Sequence, residues 1–314
     1  DPVCEIVREL IEEFPGVKAR LIICSEPLGP NAKISTLIHL ERAASHDFLA
    51  VSDADVCTPK DFLANAIQPL ADSGVGLVNS FYRFANPATL PMHWEAIAVN
   101  ADFWSQVLQS QALKPLNFAL GAAMVIRRET LKQSGGFETV VHVLADDYQL
   151  GNQIARAGKR IVLSPVTVDC REAAKDFRQI WNHQLRWART IRVCKPVAYF
   201  FTVLGNATLW PLLWTLYLAI TTGADPKLMF LPLLVFWPIR MFSALNLQEK
   251  MAETLLHYRF FWLIPVKDLL GVALWLAAFL GNRVQWKDQT FRVGKNGELI
   301  PVNPSGTEPT KVQC

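Results

Sequence analysis

Over residues 1 to about 196, short apolar runs alternate with amphipathic stretches, the pattern of strands followed by helices. A helix over 2–14 leads into Arg20-Leu21-Ile22-Ile23-Cys24, which reads as a strand. A second helix over 32–45 precedes Phe48-Leu49-Ala50-Val51-Ser52, a buried-strand pattern that ends at a cluster of acids. Pro59 is placed to open the next helix, at a first-turn position that tolerates its missing amide hydrogen. Further strands are expected at Gly76-Leu77-Val78-Asn79-Ser80, Ala122-Ala123-Met124-Val125-Ile126 and Arg160-Ile161-Val162-Leu163-Ser164, with helices between them. This alternation predicts an α/β domain whose mostly parallel sheet is covered by helices on its faces.

The pattern changes after Lys195-Pro196. No charged side chain occurs from Val197 to Thr222, a stretch longer than the roughly 20 residues a bilayer-spanning helix needs. A second apolar stretch, Leu228 to Leu247, is interrupted only by Arg240, and a third, Phe260 to Leu280, by Lys267 and Asp268. The chain therefore divides into an α/β domain over 1–196, a transmembrane region over 197–281 and a tail over 282–314. Arg186, Arg189, Arg192 and Lys195 precede the first stretch, which places the α/β domain in the cytosol and makes the protein multi-pass. Three full crossings would put the basic tail outside, so one stretch is expected to be re-entrant or interfacial, with Pro265-Val266-Lys267-Asp268 as the break.

A chain of 314 residues, 51% hydrophobic and 19% charged, can bury one α/β core and still supply membrane segments. Its opening, Asp1-Pro2-Val3-Cys4, has neither an initiator Met nor a signal-like stretch and reads as an N-terminally truncated start. A net charge of +3, without any nucleic-acid-binding signature, argues against nucleic acid as a partner. Cys4, Cys24, Cys57, Cys170, Cys194 and Cys314 are scattered without a CxxC, as reduced cytosolic thiols would be. His39, His46, His93, His142 and His257 show no ligand spacing, with His93 placed towards an acceptor cleft by Pro91-Met92-His93-Trp94-Glu95. No apolar stretch shows paired charges or repeated breaks, which disfavours a transporter.

The chemistry concentrates in three segments. In Ser52-Asp53-Ala54-Asp55, two acids sit beyond the carboxyl end of a strand, where ligands bind in open α/β sheets. Mg²⁺ or Mn²⁺ takes one or two protein carboxylates and completes its shell with water and substrate phosphates, so the pair suits a metal-diphosphate; the plainer reading is a polar turn. In Asp146-Asp147, which opens a helical pattern, either acid could cap the helix; Asp146 is the better cap and Asp147 the better general base for an attacking hydroxyl. In the segment 177–189, apolar residues recur at helical spacing while Arg178, His183, Arg186 and Arg189 take another side, as in an interfacial helix.

Taken in order, Asp53-Ala54-Asp55, Ala145-Asp146-Asp147-Tyr148 and His183-Gln184-Leu185-Arg186-Trp187 resemble the D, DxD, D, (Q/R)xxRW pattern of inverting glycosyltransferases of the nucleotide-diphospho-sugar (GT-A) fold. The likeness is to the ceramide glucosyltransferase-like enzymes of glycosyltransferase family 21 and their bacterial, hopanoid-linked relatives, and covers nearly the whole chain. Gly29-Pro30-Asn31-Ala32-Lys33-Ile34, Phe118-Ala119-Leu120-Gly121-Ala122-Ala123-Met124, Val284-Gln285-Trp286-Lys287 and Phe291-Arg292-Val293 add to it.

The resemblance implies that Asp53 and Asp55 hold a metal-diphosphate and that Asp147 is the catalytic base. It implies that Arg186 and Trp187 line the acceptor and diphosphate region, with Lys33 near the donor nucleotide. It departs from the pattern at His183, where the family has Gln or Arg, and its first aspartate, which contacts uracil, falls at or before the start of this chain.

The expected activity is transfer of glucose or N-acetylglucosamine from a UDP-sugar to a lipid hydroxyl, with inversion, by an enzyme held on the bilayer. The rivals are a processive polysaccharide synthase and an inactive membrane-bound homologue.

Overall fold

The computed structural model describes residues 3–221, 225–252, 256–286 and 289–302. The first part of the chain forms α1 (Val3–Glu13), α2 (Ala32–Ala43), β1 (Phe48–Ser52), β2 (Val56–Cys57), α3 (Phe62–Ile67), β3 (Val75–Asn79) and β4 (Tyr82–Phe84). It continues through α4 (Leu90–Ile97), a π-helical stretch at Ala98–Phe103, α5 (Trp104–Leu113), β5 (Ala123–Arg127), α6 (Arg128–Gln133) and α7 (Asp146–Arg156). Then come β6 (Arg160–Leu163), β7 (Val168–Cys170), α8 (Phe177–Cys194), α9 (Pro196–Phe201), α10 (Leu209–Thr221), α11 (Pro226–Ala252) and α12 (Leu263–Phe279). Strands β8 (Arg283–Trp286), β9 (Gln289–Val293) and β10 (Leu299–Pro301) close the described chain.

The central sheet has the order β1-β5-β3-β6 and is mixed, not mostly parallel. Only β3 and β6 run parallel in it, because β5 enters against both β1 and β3. Every residue of β3 and nearly all of β5 are buried, so these strands carry no amphipathic alternation, and an apolar run of this kind reads the same in either direction. The reversal has a functional consequence: β5 starts at the edge where β1 and β3 end. Asp53 N–H donates to Ala122 C=O (3.0 Å) and Ser80 N–H to Ala123 C=O (3.1 Å), bringing the residues before β5 to the acids after β1. Buried Asn79, at the end of β3, fixes that approach by accepting from Leu120 N–H (2.8 Å) and donating to Val162 C=O (2.9 Å).

Both faces of the sheet are covered. Ile34, Ile38, Leu77, Ile126, Leu150 and Ile154 build a core with α2 and α7 on one side. Phe62, Ala66, Leu70, Val78, Val125 and Val168 build another on the opposite side. Each fully buried aliphatic side chain contributes about 1.5–3 kcal/mol relative to exposure.

Two local expectations fail. The run Arg20–Cys24 is extended but pairs with no strand; Arg20 Nη2 donates instead to Ala43 C=O (2.6 Å). Nor does Pro59 open α3, since Pro59 C=O accepts from Phe62 N–H (3.1 Å) in a preceding turn and the helix starts at Phe62.

The apolar region also differs from the three-stretch reading. The first stretch breaks near Asn206, whose side chain accepts from Thr208 N–H (3.1 Å) and Leu209 N–H (2.8 Å), and its two halves are bent by 56°. Pro265–Asp268 marks no break but lies in the first turns of α12. Only Lys227–Lys250, of mean hydropathy 1.8, is a single helix long and apolar enough to cross a bilayer among the described residues. Phe230, Leu231, Leu234, Phe236 and Ile239 on α11 are exposed.

The charges of this region are paired across helices, where a reading along the chain does not find them. Arg240 Nη2 on α11 donates to Asp268 Oδ1 on α12 (2.8 Å) and to Asp102 Oδ1 in the π-helical stretch (2.8 Å). Lys267 bridges Asp268 (3.3 Å) and Asp102, and Thr208 Oγ1 donates to Asp268 Oδ2 (2.7 Å). Two cations thus neutralise two carboxylates and fasten α11 and α12 to the α/β body. Removing one partner of such a buried group leaves an uncompensated charge, at about 3–5 kcal/mol. Arg240→Leu should therefore lower the thermal midpoint of the detergent-purified protein markedly, as followed by loss of the monodisperse gel-filtration peak on heating.

Candidate active site

The site forms where the ends of β1, α2 and α7 meet the segment entering β5. Asn31 is the N-cap of α2: its Oδ1 accepts from Ile34 N–H (3.0 Å), satisfying a first-turn donor. Its Nδ2 donates to Val143 C=O (2.8 Å) and more weakly to Asp146 Oδ1 (3.4 Å), tying the start of α2 to the start of α7. Gly29 lets this pairing close, since a Cβ there would meet the Val141 side chain at 2.6 Å.

That geometry carries Lys33, on the first turn of α2, inward. Its Nζ is 2.5 Å from Asp53 Oδ1 and donates to Gly121 C=O at 3.3 Å. Burial alone would lower the Lys33 pKa, but Asp146, Asp53 and Asp147 together hold it above the ordinary lysine value. Asp147 Oδ1 accepts from Tyr148 N–H (2.7 Å), and its carboxylate also receives the Gly121 backbone N–H. Burial raises its pKa against the pull of Lys33 and those two donors. The neighbouring Asp146 is pushed up to about 6 by burial first and by the Asp147 charge second.

Asp146 does not cap α7. Ala145 occupies the N-cap position and Asp146 turns to Asn31, drawn into the field of Lys33. Gly121 touches both halves of the site: a Cβ there would stand 2.8 Å from Asp147 Oδ2. Helix α7 is held equally close behind it, because a Cβ on Gly151 would collide with the backbone of Phe118 and Ala119.

Asp55, two residues beyond Asp53, is exposed in the turn between β1 and β2. Both carboxylates act on the Cys170 thiol, which burial, then Asp55, then Asp53 push up to about 12. Among the described residues no three of His, Cys, Asp and Glu are gathered at metal-binding spacing. A pair of carboxylates is nevertheless the set Mg²⁺ or Mn²⁺ takes from protein when phosphates and water supply the rest, so Asp53 and Asp55 fit that role.

Helix α8 forms the other wall. A capping box starts it, Gln179 N–H donating to Asp176 Oδ1 (2.8 Å) and Gln179 Oε1 accepting from Asp176 N–H (2.9 Å). Ile180 is buried against Met92, Trp94 and Leu274, which wedges α8 between α4 and α12. Arg186, on the next turns, is half-buried and lowered in pKa by that burial, against the opposing charges of Asp146, Glu95 and Asp147. Trp187 packs edge-on against His183, ring centroids 4.6 Å apart.

The structure thus brings Lys33, Asp53, Asp147 and Arg186 into one electrostatic field, with Asp55 at its rim and Trp187 beside it. His93 is not part of this cleft; it stacks on Phe260 at 3.7 Å. Two residues that sequence reading did not single out belong here. Glu95, 1% exposed, accepts from Gln184 Nε2 (2.8 Å) and pairs with His183 Nδ1 (2.7 Å), which gives position 183 a partner. Its signal was a lone carboxylate inside the apolar run around Trp94 and Ile97, a place that demands a polar partner. Tyr82 lies close enough that burial first, and the Asp147 charge next, raise its phenol well above the ordinary value; nothing in its sequence context marks it.

Residues 1–299 match the family described as Glycosyl transferase family 21. The chain belongs to that family. Among its relatives, ceramide glucosyltransferase 3 of Caenorhabditis elegans is 20% identical over 304 residues, the match taking 96% of this chain and 66% of the relative. Ceramide glucosyltransferase 1 of the same organism is 20% identical over 310 residues, covering 95% of this chain and 64% of the relative. This family 21 chain therefore spans about two thirds of the length of the curated relatives it matches.

Among solved structures it is similar to the mannosyltransferase PcManGT from Pyrobaculum calidifontis in complex with GDP-Man and Mn²⁺. That likeness has 20% identity and a TM-score of 0.46, and covers 89% of this chain and 74% of that one. Glucosyl-3-phosphoglycerate synthase from Mycobacterium tuberculosis, in complex with Mn²⁺ and UDP-glucose, is similar at 18% identity and a TM-score of 0.30, over 58% of this chain and 57% of that one.

The raised Asp146 pKa has a stability consequence. A carboxyl raised from 3.8 to about 6 binds its proton more tightly folded than unfolded, so its favourable contribution is complete below pH 3.8 and is lost as pH rises to about 6. Asp146→Asn removes the titration. At pH 7.5 the variant should be more stable than the parent by on the order of 3 kcal/mol, and the difference should shrink towards pH 4, as read from thermal midpoints across that range.

Proposed function

We propose that this chain catalyses single-displacement transfer of a hexose, glucose or N-acetylglucosamine, from a UDP-sugar to a lipid hydroxyl, with inversion at the anomeric carbon. The observation that carries this reading is the convergence of Asp53, Lys33 and Asp147 on Gly121 at the carboxyl end of β1. Family 21 membership supports it, as does the family pattern met by Asp53-Ala54-Asp55, Asp147 and Arg186-Trp187. The α/β domain over 1–196 is on this reading a GT-A domain on the cytosolic side, followed by a membrane region over 197–281 and a cytosolic tail from 282. Part of that tail, 303–314, lies outside the described residues, as do Asp1 and Pro2.

In the reaction the acceptor oxygen attacks the anomeric carbon, the bond from that carbon to the diphosphate breaks, and UDP leaves with the electron pair. The hydroxyl proton passes to Asp147. Burial raises that carboxylate, which makes it a stronger base than an exposed aspartate, while the Gly121 and Tyr148 amides hold it in place. Asp53 and Asp55 would hold Mg²⁺ or Mn²⁺, which when bound neutralises charge on the diphosphate. Lys33 and Arg186 bring positive charge to the same region, and among the described residues no carboxylate lies within ion-pair distance of Arg186 to compete with the diphosphate for it. Trp187, braced by His183, offers an apolar wall to the acceptor.

A lipid acceptor is supported by continuity. Helix α8 runs directly into α9, and the neighbouring α10 and α11 expose large apolar side chains to their surroundings, the surface expected of helices in a bilayer. An amphiphile lying in that bilayer would present its hydroxyl beside Arg186 and Trp187.

Membranes carrying the protein, incubated with radiolabelled UDP-glucose and UDP-N-acetylglucosamine, should yield a labelled lipid bearing one sugar. A ladder of longer products would refute single transfer. Asp147→Asn should cut turnover by about 10²–10⁴-fold and leave UDP-sugar binding intact, as measured by calorimetry. Unchanged turnover would remove Asp147 from the base role.

A further inference from the structure

Helix α8 and strands β8 and β9 border an open cavity of about 240 Å³. Asn182, Arg186 and Arg189 line it from the helix, and Arg283, Gln285 and Thr290 from the strands. At about 30 Å³ per water it has room for several water molecules, and so for a phosphate group. Among the described residues none of its three guanidinium groups lies within ion-pair distance of a carboxylate, and only Arg186 also stands in the field of the acids Asp146, Glu95 and Asp147.

Arg192, on the same helix, is already engaged. It donates to Asn282 Oδ1 and to Gly281 C=O (3.4 Å) just beyond α12, and covers the Phe279 ring at 5.6 Å. Arg189 spends one Nη1 donor on Arg283 C=O, and the buried Nε atoms of Arg189 and Arg192 are both without a partner. Burial, and then the adjacent Arg192, pull its pKa below the ordinary arginine value, the sign of crowded positive charge with no anion to balance it. Arg283 is exposed and reaches the cavity from the edge of β8.

Guanidinium forks match phosphate oxygens in paired hydrogen bonds, and Asn182, Gln285 and Thr290 add further donors to the cavity wall. The position selects the source of the phosphate. The cavity adjoins the end of α12, where Leu280 is 85% exposed, and α8 enters the apolar helices only a few residues beyond Arg189. On the membrane reading of those helices, on which this inference rests, that is headgroup depth, where arginine clusters meet anionic lipid.

We propose that this cavity binds the phosphate of an anionic lipid headgroup. Such a lipid would hold α8 at the bilayer surface and share Arg186 with the donor region, linking membrane composition to the transfer site.

The test titrates dioctanoyl phosphatidic acid, dioctanoyl phosphatidylcholine and inorganic phosphate onto the detergent-purified full chain and counts bound species by native mass spectrometry. Phosphatidic acid should be retained in preference to phosphatidylcholine. Arg283→Glu should weaken its binding by about tenfold or more, equivalent to about 1.4 kcal/mol, while Arg283→Lys keeps most of it. Thr290→Val, a neutral change at an exposed strand position, should weaken it less but measurably.

Equal retention of phosphatidic acid and phosphatidylcholine, or undiminished binding by Arg283→Glu, would overturn the proposal. Inorganic phosphate bound as tightly as phosphatidic acid, and lost in Arg283→Glu, would overturn the lipid source and assign the cavity to free phosphate. The transfer reaction is scored separately, in nanodiscs that contain phosphatidic acid beside neutral lipid. If the parent protein transfers no sugar there yet retains phosphatidic acid through Arg283, the transferase reading falls and the lipid site stands.

Discussion

A single ammonium among three carboxylates is the constraint around which the upper edge of the sheet is organised. Asp53, Asp146 and Asp147 would repel one another if gathered in a half-buried cleft without a counterion, and the Lys33 side chain supplies it. Its reach depends on how α2 begins, and that depends on Asn31, which serves α2 with its oxygen and the segment leading into α7 with its nitrogen. The reversed direction of β5 completes the arrangement, since only a strand starting at this edge can present Gly121 to Lys33 through its carbonyl and to Asp147 through its amide. A surplus of negative charge remains, and it gives a divalent cation an electrostatic reason to settle there and bring its diphosphate with it.

The apolar helices are joined to the α/β body by a different kind of bond. Arg240, Lys267, Asp102 and Asp268 form a neutral group shared by α11, α12 and the π-helical stretch, and Thr208 adds the piece of chain before α10. Directional contacts of this sort fix orientation where apolar packing alone would let helices slide. Since α12 also flanks α8, the position of Arg186 and Trp187 is set by helices outside the α/β body as well as by those within it.

The places of the candidate site residues were largely legible in the sequence, because acids at the end of a buried strand and at the start of a helix are local patterns. Asp53, Lys33 and Asp147 lie together in space, and the bounds of β1, β5 and β6 were readable to within a residue or so. Strand direction was not legible: Ala123–Arg127 is apolar on both faces and carries no mark of which way it runs. Neither was the break near Asn206, since a charge-free stretch hides a polar bend made by one amide side chain. Pairings such as Glu95 with His183, or Arg240 with Asp268, join residues far apart in the chain and become visible only when the helices are packed.

Gly151 has a mechanical consequence. With no side chain between them, the back of α7 rests on the backbone of Phe118 and Ala119, so the helix bearing Asp147 and the loop bearing Gly121 form one geared unit with no play. Whatever bends that loop, a sugar entering or a lipid pressing from the side, must turn the carboxylate with it. Chain divergence aimed at a new donor would accordingly have to leave this coupling alone and rewrite the far bank of the cleft instead.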